Sequence, residues 1–259
     1  MNHPLRWLAL VALDGAETPS FENIAGWHRE QFPDAPQPTP AGATEKLLTL
    51  SIGEFTAAVT LVQQPIPSSQ LEGPAATAWY WPEAEKALRG HQAHLLVTLI
   101  DEGSAAVKKA ETLTRLTAAI TAVSPSVGVF WGPGRLVHSP EAFIDQAVQM
   151  RSDNLPLFLW IDFRIEQIEA GAFRLYTTGL ESLGHSELEV QRYEGSPQEL
   201  LDLAYNIAHY MLDKRKVLND GDTIGVTEQV QVVAHRGPSM LGGEMEVIRL
   251  DFETDPSDP

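Results

Sequence analysis

Gly184-His185-Ser186-Glu187-Leu188-Glu189 holds the side chains of this chain best suited to gripping a cation. On a strand, alternate side chains share a face, so His185, Glu187 and Glu189 would point the same way. Neighbours in that set lie roughly 6.6 Å apart at Cα and could share an ion, while the outer pair, about 13 Å apart, could not. One strand therefore offers two ligands at most. A metal-dependent enzyme or metal-binding protein built here would use His185 and Glu187 and recruit a further carboxylate such as Asp162. The same alternation against Leu188 and Val190 is also what a half-solvated strand looks like.

Asp162 lies in Trp160-Ile161-Asp162-Phe163-Arg164, where a strand over Leu155–Ile165 would place Trp160, Asp162 and Arg164 on one face. A carboxylate in an apolar strand is costly unless paired. Arg164, two residues on, is the natural partner, so a structural ion pair is the expectation. The chain has no nucleophile elbow, no Lys after a Gly-rich loop and no spaced acids of a calcium loop. Pro133 in Gly132-Pro133-Gly134 removes an N–H that a phosphate would use. No catalytic residue and no cofactor is therefore expected. The remaining candidates are aromatic. Trp79-Tyr80 precedes a helix, and Trp131 runs into Pro133 and Arg135. Trp, Tyr and Arg at loop tips are the residues that dominate protein–protein binding energy. Trp131, Pro133, Arg135, Trp79 and Tyr80 form the expected partner-binding set, with Trp131 as its anchor.

Alternating strands and helices must position these groups. Strands are expected at Leu5–Leu13, Lys46–Ile52, Phe55–Val62, Ala93–Ile100 and Val127–Trp131, with a two-residue hairpin at Gly53-Glu54. Ser20 starts a first helix, Glu83–Arg89 is a short one, and Ser104–Val123 is the longest. Pro33 to Pro40 can be neither helix nor central strand. This order is the split βαβ arrangement of ferredoxin-like folds. Further on, Ser139 caps a helix over Pro140–Met150 and Ser196 caps an amphipathic one over Pro197–Leu212. Strands at Phe173–Thr178, Glu187–Tyr193, Val226–His235 and Glu246–Phe252 complete the pattern, with a turn at Asn219–Asp222. The tail with Asp255, Ser257 and Asp258 is expected to fray. The expected class is α+β, with two mixed, mainly antiparallel sheets and packed helices. Domains are expected at 1–125 and 126–259.

Charge narrows the choice of partner. The chain has 35 acidic against 18 basic residues, a net charge of −17, and no cysteine. Such a surface repels phosphates and anionic lipid and attracts cationic proteins. Nucleic acid and membrane partners are not expected; a basic protein is. The apolar run Trp7–Leu13 is too short for a signal peptide and Asp14 closes it, so a cytoplasmic protein is expected.

Several segments together carry a resemblance: Gln64-Pro65-Ile66-Pro67 with Leu71-Glu72-Gly73-Pro74, Trp81-Pro82-Glu83-Ala84, Thr178-Gly179-Leu180-Glu181 with Gly184-His185-Ser186-Glu187, and Asn206-Ile207-Ala208-His209-Tyr210 before Asp220-Gly221-Asp222-Thr223. The combination resembles a bacterial family catalogued only as a domain of unknown function. Some proteins of this appearance look like immunity proteins encoded beside type VI secretion effectors. The resemblance implies a non-enzymatic antidote that binds and neutralises a basic toxin, a nuclease for example.

Overall fold

The computed structural model describes residues 7–100, 103, 105–225 and 230–254. The expected strand start at Leu5, the helix start at Ser104, the strand start at Val226 and the fraying tail from Asp255 lie outside these residues. The chain forms two compact units, Met1–Trp160 and Ile161–Pro259.

The first unit runs β1 (Leu8–Leu13), α1 (Phe21–Gln31), β2 (Pro38–Ala43), β3 (Leu47–Ile52), β4 (Phe55–Val62), α2 (Ser68–Thr77), α3 (Ala84–Leu88), β5 (Ala93–Ile100), α4 (Ala106–Ala122), β6 (Ser126–Trp131), β7 (Leu136–His138), α5 (Pro140–Gln149) and α6 (Leu157–Trp160). Its seven strands are ordered β2-β3-β4-β5-β1-β6-β7, with every neighbour antiparallel. β1 lies between β5 and β6 and runs against both, so β5–α4–β6 is a split βαβ unit. The central order β4-β5-β1-β6, with α1 and α4 packed together on one face, is the ferredoxin-like core. The proline-rich β2 sits at the sheet edge, the place a strand with two prolines can occupy.

β1 is buried on both sides, which explains its unbroken apolar run. Leu10 and Ala12 join Phe130, Val137 and residues of α2 and α3 in one cluster. On the opposite face Trp131 lies against Phe143 of α5. Ser20 and Ser139 cap α1 and α5 through their hydroxyls, as their sequence contexts predict. β6 pairs with β1, so the first unit cannot end at residue 125; it runs on through Trp160.

The second unit contains β8 (Asp162–Glu169), β9 (Ala172–Thr178), a 3-10 turn at Glu181–Leu183, β10 (Leu188–Glu194), α7 (Pro197–Asp213), β11 (Thr223–Gly225), β12 (Val230–Pro238) and β13 (Glu246–Thr254). Its sheet is ordered β11-β12-β13-β10-β9-β8, and the β10–β13 pair is parallel. Ser196 and Glu199 form a full capping box on α7. The class is α+β, with two mainly antiparallel sheets, of which this second one is mixed. The strand expected over Leu155–Ile165 is instead a helical turn followed by β8. Trp160 closes that turn fully buried, donating its indole N–H to Thr114 Oγ1 at 2.9 Å. It therefore shares no strand face with Asp162.

Candidate functional site

The β9–β10 connection holds His185 and Glu187, two of the candidate metal ligands. Gly179 (φ 125°) and Gly184 (φ 86°) bracket the 3-10 turn, both in the left-handed region that favours glycine. The Glu187 side chain closes this loop. Its Oε1 accepts the backbone N–H of Gly179 (2.8 Å) and Glu181 (3.0 Å), and its Oε2 accepts the Thr177 hydroxyl (2.7 Å). Thr177 Oγ1 in turn accepts the N–H of Leu188. Glu187 is 5% exposed, and both its oxygens are already engaged. Glu189, 1% exposed, accepts the Ser239 hydroxyl and the N–H of Met240, fastening the β12–β13 connection.

His185 is half-buried beside Glu187, its pKa lowered by burial. It lines a cleft of about 670 Å³ with Glu187, Arg236, Glu244 and Glu246 among others. Asp162 is paired with Arg164, as the sequence predicts. Among the described residues no three His, Asp or Glu side chains are grouped to hold a metal ion. The His185–Glu187–Asp162 centre is thus not assembled, because Glu187 serves the loop backbone and Asp162 serves Arg164.

Registers carried across the second sheet reveal something the linear pattern hid. Arg164, Tyr176, Glu189, Arg249 and His235 are cross-strand neighbours in one row over five strands. Adjacent to it, Glu166 accepts two hydrogen bonds from Arg174 and one from the Tyr176 hydroxyl. The Arg174 hydrogen bonds, chiefly, lower the Glu166 pKa. The other sheet face carries Phe163, Leu175, Leu188, Val190, Ile248 and Leu250, with Phe163 against Tyr205 of α7. Period-two alternation foretells each strand's polar side, but only the register shows that the polar sides line up.

The aromatic candidates lie in the first unit. Trp131 is fully buried, so it is a core residue and cannot be the exposed anchor expected of it. The Gly132-Pro133-Gly134 corner explains itself sterically. A Cβ at Gly132 would come within 2.6 Å of the Leu8 carbonyl oxygen, and one at Gly134 within 2.3 Å of the Trp160 carbonyl oxygen. This tight corner turns Arg135 outward, at φ 53°. Pro133 and Arg135 line a cleft of about 520 Å³ with Leu8, Pro67 and Phe130. Trp79 is 57% exposed and packs edge-on to Tyr80. Tyr80 stacks on His138 and donates its hydroxyl to the Val137 carbonyl at 3.0 Å. The Trp79–Tyr80 loop is thereby tied to β7, the strand that Arg135 precedes.

Residues 176–251 match the family described as a domain of unknown function (DUF4261). That segment spans the end of β9 to within β13, so it contains the Glu187 loop, Glu189 and four of the five row residues. No curated protein and no solved structure matches the chain. Among the described residues no helix is long and apolar enough to cross a membrane.

Proposed function

We propose that the chain is a binding protein without catalytic activity of its own, an immunity protein that occludes a basic toxin such as a nuclease delivered by type VI secretion. The observation that carries this reading is where the charge lies. The second unit holds 19 acidic against 8 basic residues in 99, whereas the first holds 16 against 10 in 160. Charge this concentrated accelerates encounter with a cationic surface and repels phosphate backbones and anionic lipid. The engagement of Glu187 and Glu189 by loop N–H groups and hydroxyls supports the same reading, since it gives these carboxylates a structural task. Contact with the partner is assigned to Trp79, Tyr80, Pro133 and Arg135, with Trp79 replacing Trp131 as the aromatic anchor.

The test is co-expression with the product of a neighbouring gene encoding a basic protein. Restored growth and a co-eluting complex whose affinity falls with salt are the expected results. Continued toxicity, with no complex even at low ionic strength, would refute the reading.

A further inference from the structure

In the first unit, the Gln64-Pro65-Ile66-Pro67 segment, α2 and α3 enclose a groove of about 610 Å³. Its floor is apolar and fixed: Ile66, Leu71, Ala75 and Leu88 are each 9% exposed or less. His91 holds the groove's end rigid by bonding two backbone segments. Its Nε2 accepts the Ile66 N–H at 2.6 Å, and its Nδ1 bonds the Leu88 carbonyl. The ring thus bridges the Ile66 and Leu88 backbones, with Nε2 on the N–H and Nδ1 on the carbonyl. Leu88 reaches this depth because Gly128 of β6 lacks a side chain; a Cβ there would lie 2.6 Å from Leu88 Cδ2. The groove is within the range of sites that bury small ligands or anchoring side chains.

Its rim decides between those occupants. Glu72 on α2 and Glu85 on α3 are exposed, and neither has an ion-pair partner among the described residues. One carboxylate stands on each helical wall, with Arg89 beside the α3 one. A small ligand with a single cationic end would satisfy one wall only. An apolar segment flanked on both sides by lysine or arginine satisfies both. We infer that this groove receives such a segment of a basic protein partner, its apolar side chains seated over Leu71, Ala75 and Leu88 and its flanking cations meeting Glu72 and Glu85. The inference rests on the binding-protein reading for its biological partner, but its chemistry can be tested without that partner.

The probe is the capped peptide Lys-Leu-Leu-Lys, titrated into the full chain and followed by NMR of backbone amides and leucine methyls. Saturable shifts confined to residues 64–91 are expected, weakened about fivefold by the double variant Glu72→Gln, Glu85→Gln, as two exposed ion pairs allow. A Glu-Leu-Leu-Glu peptide should bind more weakly to the native chain, and a Lys-Ser-Ser-Lys peptide should give no groove shifts. No shifts at millimolar Lys-Leu-Leu-Lys, shifts elsewhere, or equal binding of the acid-flanked peptide would overturn the inference. Peptide failure alongside an intact complex with a basic partner would remove the groove and leave the binding reading standing. Peptide binding without rescue in the co-expression test would do the reverse.

Discussion

The two units bury ionisable groups of opposite kinds. Among the described residues, every buried histidine lies in the first: His28, His91, His94 and His138. The two buried glutamates among the described residues, Glu187 and Glu189, lie in the second. The local backbone supplies the reason. In the first unit, bonds reach from imidazoles to stray carbonyls: His91 to Leu88, His94 to Gln64 and His138 to Leu159. A neutral imidazole N–H is the donor such carbonyls need. In the second unit, tight glycine-bearing turns point N–H groups inward at Gly179, Glu181 and Met240, and a carboxylate is the acceptor they need. At these positions the buried side chain supplies the hydrogen-bond partner that a nearby backbone group lacks.

Mutation should separate the units most sharply in stability. Trp131→Ala in the first core should cost about 4 kcal/mol, as truncating a fully buried aromatic does. Chemical denaturation measures it. A loss below about 1 kcal/mol would mean that Trp131 is not held as described. In the second unit, Glu187→Ala should cost about 3 kcal/mol, because two N–H groups and a hydroxyl lose their acceptor. Glu187→Gln should cost clearly less, since its remaining oxygen can still accept from Gly179 and Glu181. Equal costs for the two variants would show that side-chain volume, not acceptance, holds the loop.

Acid should act on the first unit through its histidines. Burial, only partly offset by the hydrogen bond to Leu159, lowers the His138 pKa to about 4 from its usual 6.5. The unfolded chain therefore takes up a proton below about pH 6.5 that the folded chain refuses until about pH 4. Stability from this residue is complete above the higher value and lost as pH falls towards the lower. Burial also lowers His28 and His94, adding loss of the same sign. Between pH 7.5 and 5 His138 alone should account for about 2 kcal/mol. Denaturation of His138→Asn, which keeps a donor towards Leu159, should show that much less pH dependence. An unchanged slope would mean that another group carries it.

Local signals in the sequence fared better than long-range ones. The caps at Ser20, Ser139 and Ser196 and the Gly53 hairpin depend on neighbouring residues, and they stand as read. So does the Asp162–Arg164 pair, two residues apart. The role of Glu187 was harder to see, since its donors come from a loop that closes only when β9 pairs with β10. Flanking Gly179 and Gly184 were the available hint, because two glycines in a short acidic stretch announce inward-turned backbone. The burial of Trp131 depends on β6 inserting beside β1, more than a hundred residues earlier in the chain. Only that pairing distinguishes a core tryptophan from a loop-tip anchor, and it also moves the end of the first unit from 125 to 160. α2 is not legible in the sequence because Gly73 and Pro74 lie inside it, residues that argue against helix on propensity alone.

The finest contrast between the units concerns how each would contribute to binding. If the second unit's charge steers the encounter and the first unit's aromatic loop holds the complex, the two should appear in different rate constants. Trp79→Ala removes an exposed aromatic that supports no core, so it should leave the melting temperature unchanged and raise the dissociation rate about tenfold, within the range of an interface anchor. Glu244→Gln and Glu246→Gln, on the rim of the second unit's cleft, should each slow association about twofold and flatten its dependence on salt, leaving dissociation alone. Surface plasmon resonance with the basic partner, at two salt concentrations, reads both rates in one experiment. Acid variants that accelerate dissociation, together with a silent Trp79→Ala, would reverse the assignment. The second unit would then be the gripping surface, and the exposed tryptophan would have no part in the complex.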